Sequence, residues 1–193
     1  MRFIKNNSYN IIRLVLNQFG MMVFGLVLSF AIGGINNAVS DKLLLLVSIF
    51  ATGFYMVLIY AMMWEQGARD IIRVESGRMN LDKYYGAKVA LCANIPNLIL
   101  ALLVFIGFLF GHLFGDSQAA SNLSGVAYMI SSFVQATYLG IIKAVFAPFD
   151  ISLTSTLLFR SLAYFFTVIP AILTSTVAYI LGCKNFRIFP VKK

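Results

Sequence analysis

Residues 64–88 have the sequence WEQGARDIIRVESGRMNLDKYYGAK, which is the one long polar interval between apolar runs. This segment holds four of the seven acidic residues and five of the fifteen basic residues of the chain. Across all 193 residues, 60% are hydrophobic and only 11% are charged. A soluble fold could not cover its surface with so few charges, whereas lipid is as apolar as these side chains. The sequence therefore predicts an all-α polytopic transmembrane bundle.

The apolar runs around this segment are long enough to cross a ~30 Å hydrocarbon core at about 1.5 Å per residue. We expect spans at residues 11–35, 43–64, 89–114, 123–147 and 161–182. Residues 144–159 form a shorter apolar piece, which is either a further crossing or a re-entrant or interfacial helix. We treat residues 1–193 as a single transmembrane domain, with residues 64–88 as its polar cytoplasmic loop.

The distribution of Lys and Arg favours an even number of crossings. With the N-terminus and residues 64–88 in the cytoplasm, six crossings leave thirteen of the fifteen basic residues inside and two outside. Five crossings change this division to ten and five. Because cytoplasmic loops carry the excess of Lys and Arg, we expect about six spans in the cell membrane. The net charge of +8 lies at the ends of apolar runs, which indicates contact with anionic lipid and not with nucleic acid.

A polar interruption near the start of the third span is the strongest candidate for a substrate site. Asn94 and Asn97 are three residues apart and share a helix face, and Pro96 frees a backbone carbonyl one turn earlier. Polar groups inside a membrane are costly and often functional. The remaining candidate substrate-binding residues are Asn17, Gln18 and Gln135. The alternative is a kinked helix whose amides bond only to neighbouring helices.

Two charged groups of residues are candidates for other roles. In the polar loop, we expect Glu65, Arg69, Asp70 and Arg73 to dock a cytoplasmic or membrane protein partner. Asp150 and Arg160 are candidates for a gate pair if both lie at depth, and are ordinary boundary charges if their segment is interfacial.

Two seams of small residues are predicted to pack helices closely, since small side chains at four-residue spacing let backbones approach. They consist of Gly25, Ser29 and Gly33 in the first span, and Gly107, Gly111 and Gly115 at the end of the third. We expect contacts within the chain, and a homo-oligomer is the alternative.

Catalytic and metal-binding chemistry have few candidates. The chain has one histidine, His112, and two cysteines without metal-ligand spacing. We therefore predict no catalytic residue, no metal, no cofactor and no enzyme activity.

Two resemblances concern the loop and the later spans. Ala68-Arg69 stands thirteen residues before Asp82, a spacing that resembles the motif of CDP-alcohol phosphotransferases. That family implies a metal-dependent lipid-headgroup enzyme, but Gly86 occupies the position of its final carboxylate. The run ANIPN at 93–97 and the stretch at 169–189 resemble multi-pass membrane proteins of bacteria, which implies a membrane location alone.

We therefore predict a small transporter or the membrane subunit of one. The alternative is a non-transporting membrane scaffold or assembly factor, and the third hypothesis is the phosphotransferase-like lipid enzyme.

Overall fold

The computed structural model describes residues 2–33, 37–114, 118–146 and 153–186. Within these ranges the chain forms helices and no strand, which confirms the all-α prediction. The helices, in chain order, are α1 (Arg2–Asn6), α2 (Ser8–Gly33), α3 (Asn37–Glu75), α4 (Tyr85–Ala93), α5 (Ile95–Phe114), α6 (Gln118–Val134), a 3₁₀ turn (Ala136–Tyr138), α7 (Leu139–Phe146), α8 (Leu153–Phe166) and α9 (Val168–Cys183).

Many large apolar side chains of the described residues are exposed. The exposed side chains of α2 recur every three or four residues along one face: Ile12, Leu16, Phe19, Val23, Val27 and Phe30. The buried side chains of the described residues include many polar ones: Ser48, Asp70, Asn94, Asn97, Ser124, Ser131, Gln135, Thr137, Ser161 and Ser175. A soluble protein rarely exposes apolar surface on this scale, so the long apolar helices are those expected of a membrane-embedded protein.

The number of candidate membrane spans among the described residues is three to five. Three are continuous, at Ser8–Ile32, Lys42–Glu75 and Ser161–Cys183. Two more are bent pairs, formed by α4 with α5 at 53° and by α6 with α7 at 76°. The predicted count of about six is not confirmed, because the further crossing expected over 144–159 falls partly outside the described residues.

Helix α3 is much longer than the apolar run at 43–64 that it contains. Its 39 residues extend for about 58 Å, well beyond a ~30 Å hydrocarbon core. The first part of the polar segment is therefore a helical extension of the second span. Gly77 ends this helix: its φ is +70°, and the N–H groups of Gly77 and Arg78 donate to the carbonyls of Val74 and Arg73.

The helices divide into two compact units. Unit 1 consists of Met1–Asn17, Tyr55–Ala93 and Ile169–Lys193, and unit 2 of Gln18–Phe54 and Asn94–Val168. In unit 2, α5 packs against both α6 and α8. In unit 1, the C-terminal part of α3 packs against α9, where Gly67 lies against the carbonyl of Tyr179 and Gly182 against the carbonyl of Trp64.

Candidate functional site

The predicted interruption of the third span is present at Asn94. Helix α4 ends at Ala93 and α5 begins at Ile95, with Pro96 in the first turn of α5, where a missing backbone N–H is tolerated. The Nδ2 group of Asn97 donates to Oδ1 of Asn94 at 3.0 Å, and both side chains are buried. The two predicted amides therefore form a bonded pair inside unit 2.

A second interruption, which the sequence did not predict, lies at Gln135 in the fourth apolar run. Helix α6 ends at Val134, and α7 leaves at 76° after the 3₁₀ turn. Residues from α2 and α3 stabilise the bend: the Thr137 hydroxyl donates to the Met21 carbonyl at 3.0 Å, and the Gly140 N–H donates to Ser48 Oγ at 2.8 Å. Tertiary hydrogen bonds thus replace the helical ladder that the bend removes.

Gln135 is buried at this bend and bonds to the junction between α8 and α9. Its Oε1 lies 2.6 Å from the Thr167 hydroxyl, whose single proton can be donated to this oxygen or to the Tyr164 carbonyl at 2.7 Å. Among the described residues, the contact of its Nε2 is a long one, of 3.5 Å, with the Tyr164 carbonyl. The amide N–H₂ of Gln135 therefore retains donor capacity that its neighbours do not use fully.

Ser131 lies one turn before Gln135 on the same inward face of α6. The buried residues of that face follow helical spacing: Ser124, Ala127, Ser131 and Gln135. Ser131 is only 1% exposed, and its hydroxyl has no hydrogen-bond partner among the described residues. Since buried polar groups are nearly always paired, this hydroxyl calls for a specific explanation.

The packing of α5 against α6 relates the positions of the two interruptions along the helices. Three residues connect these helices, so they run antiparallel. They also approach closely, because a Cβ added at Gly107 would lie 2.5 Å from the Ser124 Cβ. Asn97 is ten residues before Gly107, and Val134 is ten residues after Ser124. At equal rise per residue, this spacing puts the asparagine pair and the end of α6 about equally far along the helices from the Gly107–Ser124 contact. We call Asn94, Asn97, Ser131 and Gln135 the break site.

The other predicted residues of the substrate path and gate are placed as follows. Gln18 is half-buried in unit 2. Asn17 belongs to unit 1, where its Nδ2 lies 3.9 Å from the sulfur of Met62. Asp150 lies outside the described residues, and so does the side chain of Arg160. The gate pair therefore stays a prediction.

The predicted docking residues differ in exposure. Glu65 and Arg69 form an exposed ion pair at 2.8 Å, with Arg13 3.6 Å from Glu65. The side chain of Arg73 is 59% exposed. Asp70 instead is buried within the chain, so the surface available to a partner consists of the other three. Whether a partner docks there stays a prediction.

Asp70 anchors the C-terminal part of α3 to α9. Its Oδ2 accepts a hydrogen bond from the Tyr179 hydroxyl at 3.2 Å, and its Oδ1 accepts one from Gln66 Nε2 at 3.0 Å. Arg73 lies 3.5 Å from the same carboxylate. We call these residues, with the closely packed Gly67 and Gly182, the α3–α9 anchor.

Tyr85 extends the polar contacts of unit 1 around this anchor. Its ring lies 4.9 Å from that of Tyr179, and its hydroxyl accepts from Asn10 at 2.8 Å and donates to Asn7 at 3.0 Å. The periodicity of α3 could have revealed the buried carboxylate, because the buried residues Tyr55, Ile59, Met63 and Gly67 lead at helical spacing to Asp70.

The small-residue seams make close contacts within the chain where they are described. Gly107 meets Ser124 of α6, and a Cβ added at Gly25 would lie 2.8 Å from the backbone N of Thr137. Ser29 is half-buried. The surroundings of Gly33, Gly111 and Gly115 are not among the described parts, and self-association stays a prediction.

Among the described residues, no group of three or more His, Cys, Asp and Glu side chains could hold a metal ion. Asp82, the carboxylate shared with the phosphotransferase motif, bonds to Lys88 at 2.6 Å and to the Tyr84 N–H at 3.0 Å. No family model, curated protein or solved structure matches this chain.

Proposed function

We propose that this protein is a small membrane transporter, or the membrane subunit of one, whose substrate path passes the break site. The observation that supports this is the pair of interrupted apolar helices, each with a buried amide side chain at its bend. Discontinuous helices in transporters bring backbone and polar groups to a substrate in the middle of the membrane. Irregular backbone at that depth is tolerated where it is buried in protein or lines a cavity.

The proposal includes about six crossings in the cell membrane with the N-terminus in the cytoplasm. The positive-inside distribution supports this orientation, as thirteen of fifteen Lys and Arg residues then face the cytoplasm. A cysteine placed at Lys193 and tested for modification from either side of the membrane would establish the parity of the crossings. Labelling of that cysteine from outside only would contradict an even number.

Transport is tested by reconstitution of the purified protein in liposomes and by growth of a deletion strain on limiting nutrients. We expect the strain to fail on one nutrient and the liposomes to accumulate it. Asn94→Ala and Asn97→Ala should each remove accumulation while leaving the amount of folded protein unchanged. Unaffected growth on every nutrient, together with no uptake and no ligand stabilisation, would contradict transport.

A non-transporting scaffold or assembly factor is the second candidate, and the exposed end of α3 favours it. This extension presents Glu65, Arg69 and Arg73 beyond the apolar run. As a scaffold, the protein would retain function in Asn94→Ala and Asn97→Ala. It would lose capture of its partner when charge is reversed in Arg69→Glu. Partner capture that survives this reversal would argue against docking through α3.

A further inference from the structure

The buried Ser131 hydroxyl of unit 2 has no hydrogen-bond partner among the described residues, and it is the starting point for a substrate class. We propose that the break site binds a small uncharged solute with more than one hydrogen-bonding group, of the polyol or amide class. This assignment rests on the proposed transport function and names its substrate chemistry.

The electrostatics of unit 2 favour a neutral ligand. The buried polar side chains described in this unit are serine, threonine, asparagine and glutamine, and none carries a charge. The only buried charged side chain among the described residues is Asp70, which belongs to unit 1. A charged ligand would therefore meet no described counter-charge, and an uncompensated buried charge costs several kcal/mol or more.

The hydrogen-bonding capacity of the site favours a polar ligand over an apolar one. The Ser131 hydroxyl can donate one hydrogen bond and accept two, and it makes none with the described residues. The Nε2 group of Gln135 has two N–H donors, and with the described residues it makes one contact, at 3.5 Å. These groups lie one helical turn apart, about 5–6 Å between Cβ atoms, which suits two polar atoms of one small solute. An apolar ligand would leave both groups unsatisfied.

The competing explanation is a purely internal role for Ser131, with one buried water as its partner. A single water with two to four polar partners can satisfy a hydroxyl of this kind. Under that explanation, removal of the hydroxyl would change stability alone and leave solute uptake unchanged. The two explanations therefore differ in a measurable quantity.

Uptake by proteoliposomes containing the full chain tests the assignment. The neutral probes are radiolabelled xylitol and acetamide, and the charged probes are rubidium ion and glutamate. We expect uptake of a neutral probe above that of empty liposomes and no uptake of the charged probes. Ser131→Ala should reduce that uptake about 5- to 10-fold, the equivalent of one lost hydrogen bond.

Ser175→Ala is the matched control, because Ser175 is also a fully buried helical serine but lies in unit 1. Its hydroxyl donates to the Gly86 carbonyl at 2.8 Å. We expect this variant to melt at a lower temperature with neutral uptake unchanged. Ser131→Ala should instead lower neutral uptake and leave the melting temperature unchanged. Equal neutral uptake in Ser131→Ala and the wild type would overturn the assignment.

The remaining outcomes separate this assignment from the transport proposal. Uptake of rubidium or glutamate in place of the neutral probes would overturn the substrate class and leave transport standing. Two results together would overturn both the substrate class and the transport proposal. They are no uptake of any of the four probes by the proteoliposomes, and normal growth of the deletion strain on every limiting nutrient.

Discussion

The two units bury polar groups by different means. In unit 1, the carboxylate of Asp70 is enclosed by hydrogen bonds from Tyr179 and Gln66, and closely packed glycines hold the helices around it. In unit 2, the break site contains only neutral groups, and the hydroxyl of Ser131 has no partner among the described residues. A buried carboxylate that accepts hydrogen bonds on both oxygens stabilises the contact between its helices. Neutral groups without partners can instead form hydrogen bonds with a ligand. The comparison places the buried, bonded charge in unit 1 and the proposed ligand site in unit 2.

The largest expected effect comes from filling the glycine contact of the α3–α9 anchor. In Gly67→Val the new side chain would collide with the backbone carbonyl of Tyr179, and a backbone atom cannot rotate away. We expect a loss of about 3 kcal/mol or more in the free energy of unfolding. The measurement is unfolding in micelles by denaturant.

Gly53→Val is the control for that variant. Gly53 is also in α3, and a Cβ there meets nothing within 4 Å. The control should stay within about 0.5 kcal/mol of the wild type. Equal stability of the two variants would show that the helices of unit 1 are not packed as closely as described.

The second-largest loss of stability is expected when the negative charge of the α3–α9 anchor is removed. Asp70→Asn keeps the size of the side chain but weakens the hydrogen bonds that residue 70 accepts from Tyr179 and Gln66. Because hydrogen bonds to charged groups contribute about 1.5–3 kcal/mol, we expect a loss of about 2 kcal/mol in unfolding free energy. Glu75→Gln, at an exposed site of the same helix, should change it by less than about 0.5 kcal/mol.

A double-mutant cycle with Tyr179→Phe isolates the hydrogen bond itself. Residues in direct contact show coupling energies of roughly 0.5–3 kcal/mol, and we expect a value in that range for this pair. Strict additivity of the two losses would mean that Tyr179 and Asp70 do not interact in the folded protein.

The sequence predicts features that follow from local residue chemistry. The interruption at Asn94 was predictable because Pro96 and two amides stand together in an apolar run. A helix end near residue 77 was predictable because glycine readily adopts the positive φ that Gly77 has in the structure. Both depend on backbone preferences that a residue carries wherever it stands.

Features that depend on distant contacts were not predictable in the same way. No Gly or Pro stands at residues 131–139, so nothing local indicates the bend at Gln135. That bend depends on hydrogen bonds donated to the Met21 carbonyl and to Ser48 Oγ, and both residues are distant in the sequence. The burial of Asp70 was not predicted, because a charged residue in a polar segment was expected to contact a partner, although its place on the buried stripe of α3 indicated otherwise.

A smaller effect on stability, but a large one on function, is expected in unit 2. Asn97→Ala removes one hydrogen bond to Asn94, which corresponds to about 1 kcal/mol of unfolding free energy. If the break site binds substrate, solute uptake should nevertheless fall to that of empty liposomes. Asn10→Ala is matched in chemistry, since it removes one amide hydrogen bond to Tyr85 in unit 1. This control should lose similar stability and retain uptake, and equal uptake in the two variants would contradict the assignment of binding to unit 2.

The smallest effect on stability is expected at Glu65, five residues before Asp70 in α3. Glu65 and Asp70 are both acids of α3 with basic neighbours, but the Glu65 side chain is 52% exposed and that of Asp70 is 2% exposed. Glu65→Gln breaks contacts with Arg13 and Arg69 that water already screens, so the unfolding free energy should change by less than about 0.5 kcal/mol. The difference from the wild type should shrink further in 1 M salt, where the Debye length is about 3 Å. A loss as large as that of Asp70→Asn would mean that the outer face of α3 is also covered, which would require a partner or a second copy of the chain on that surface.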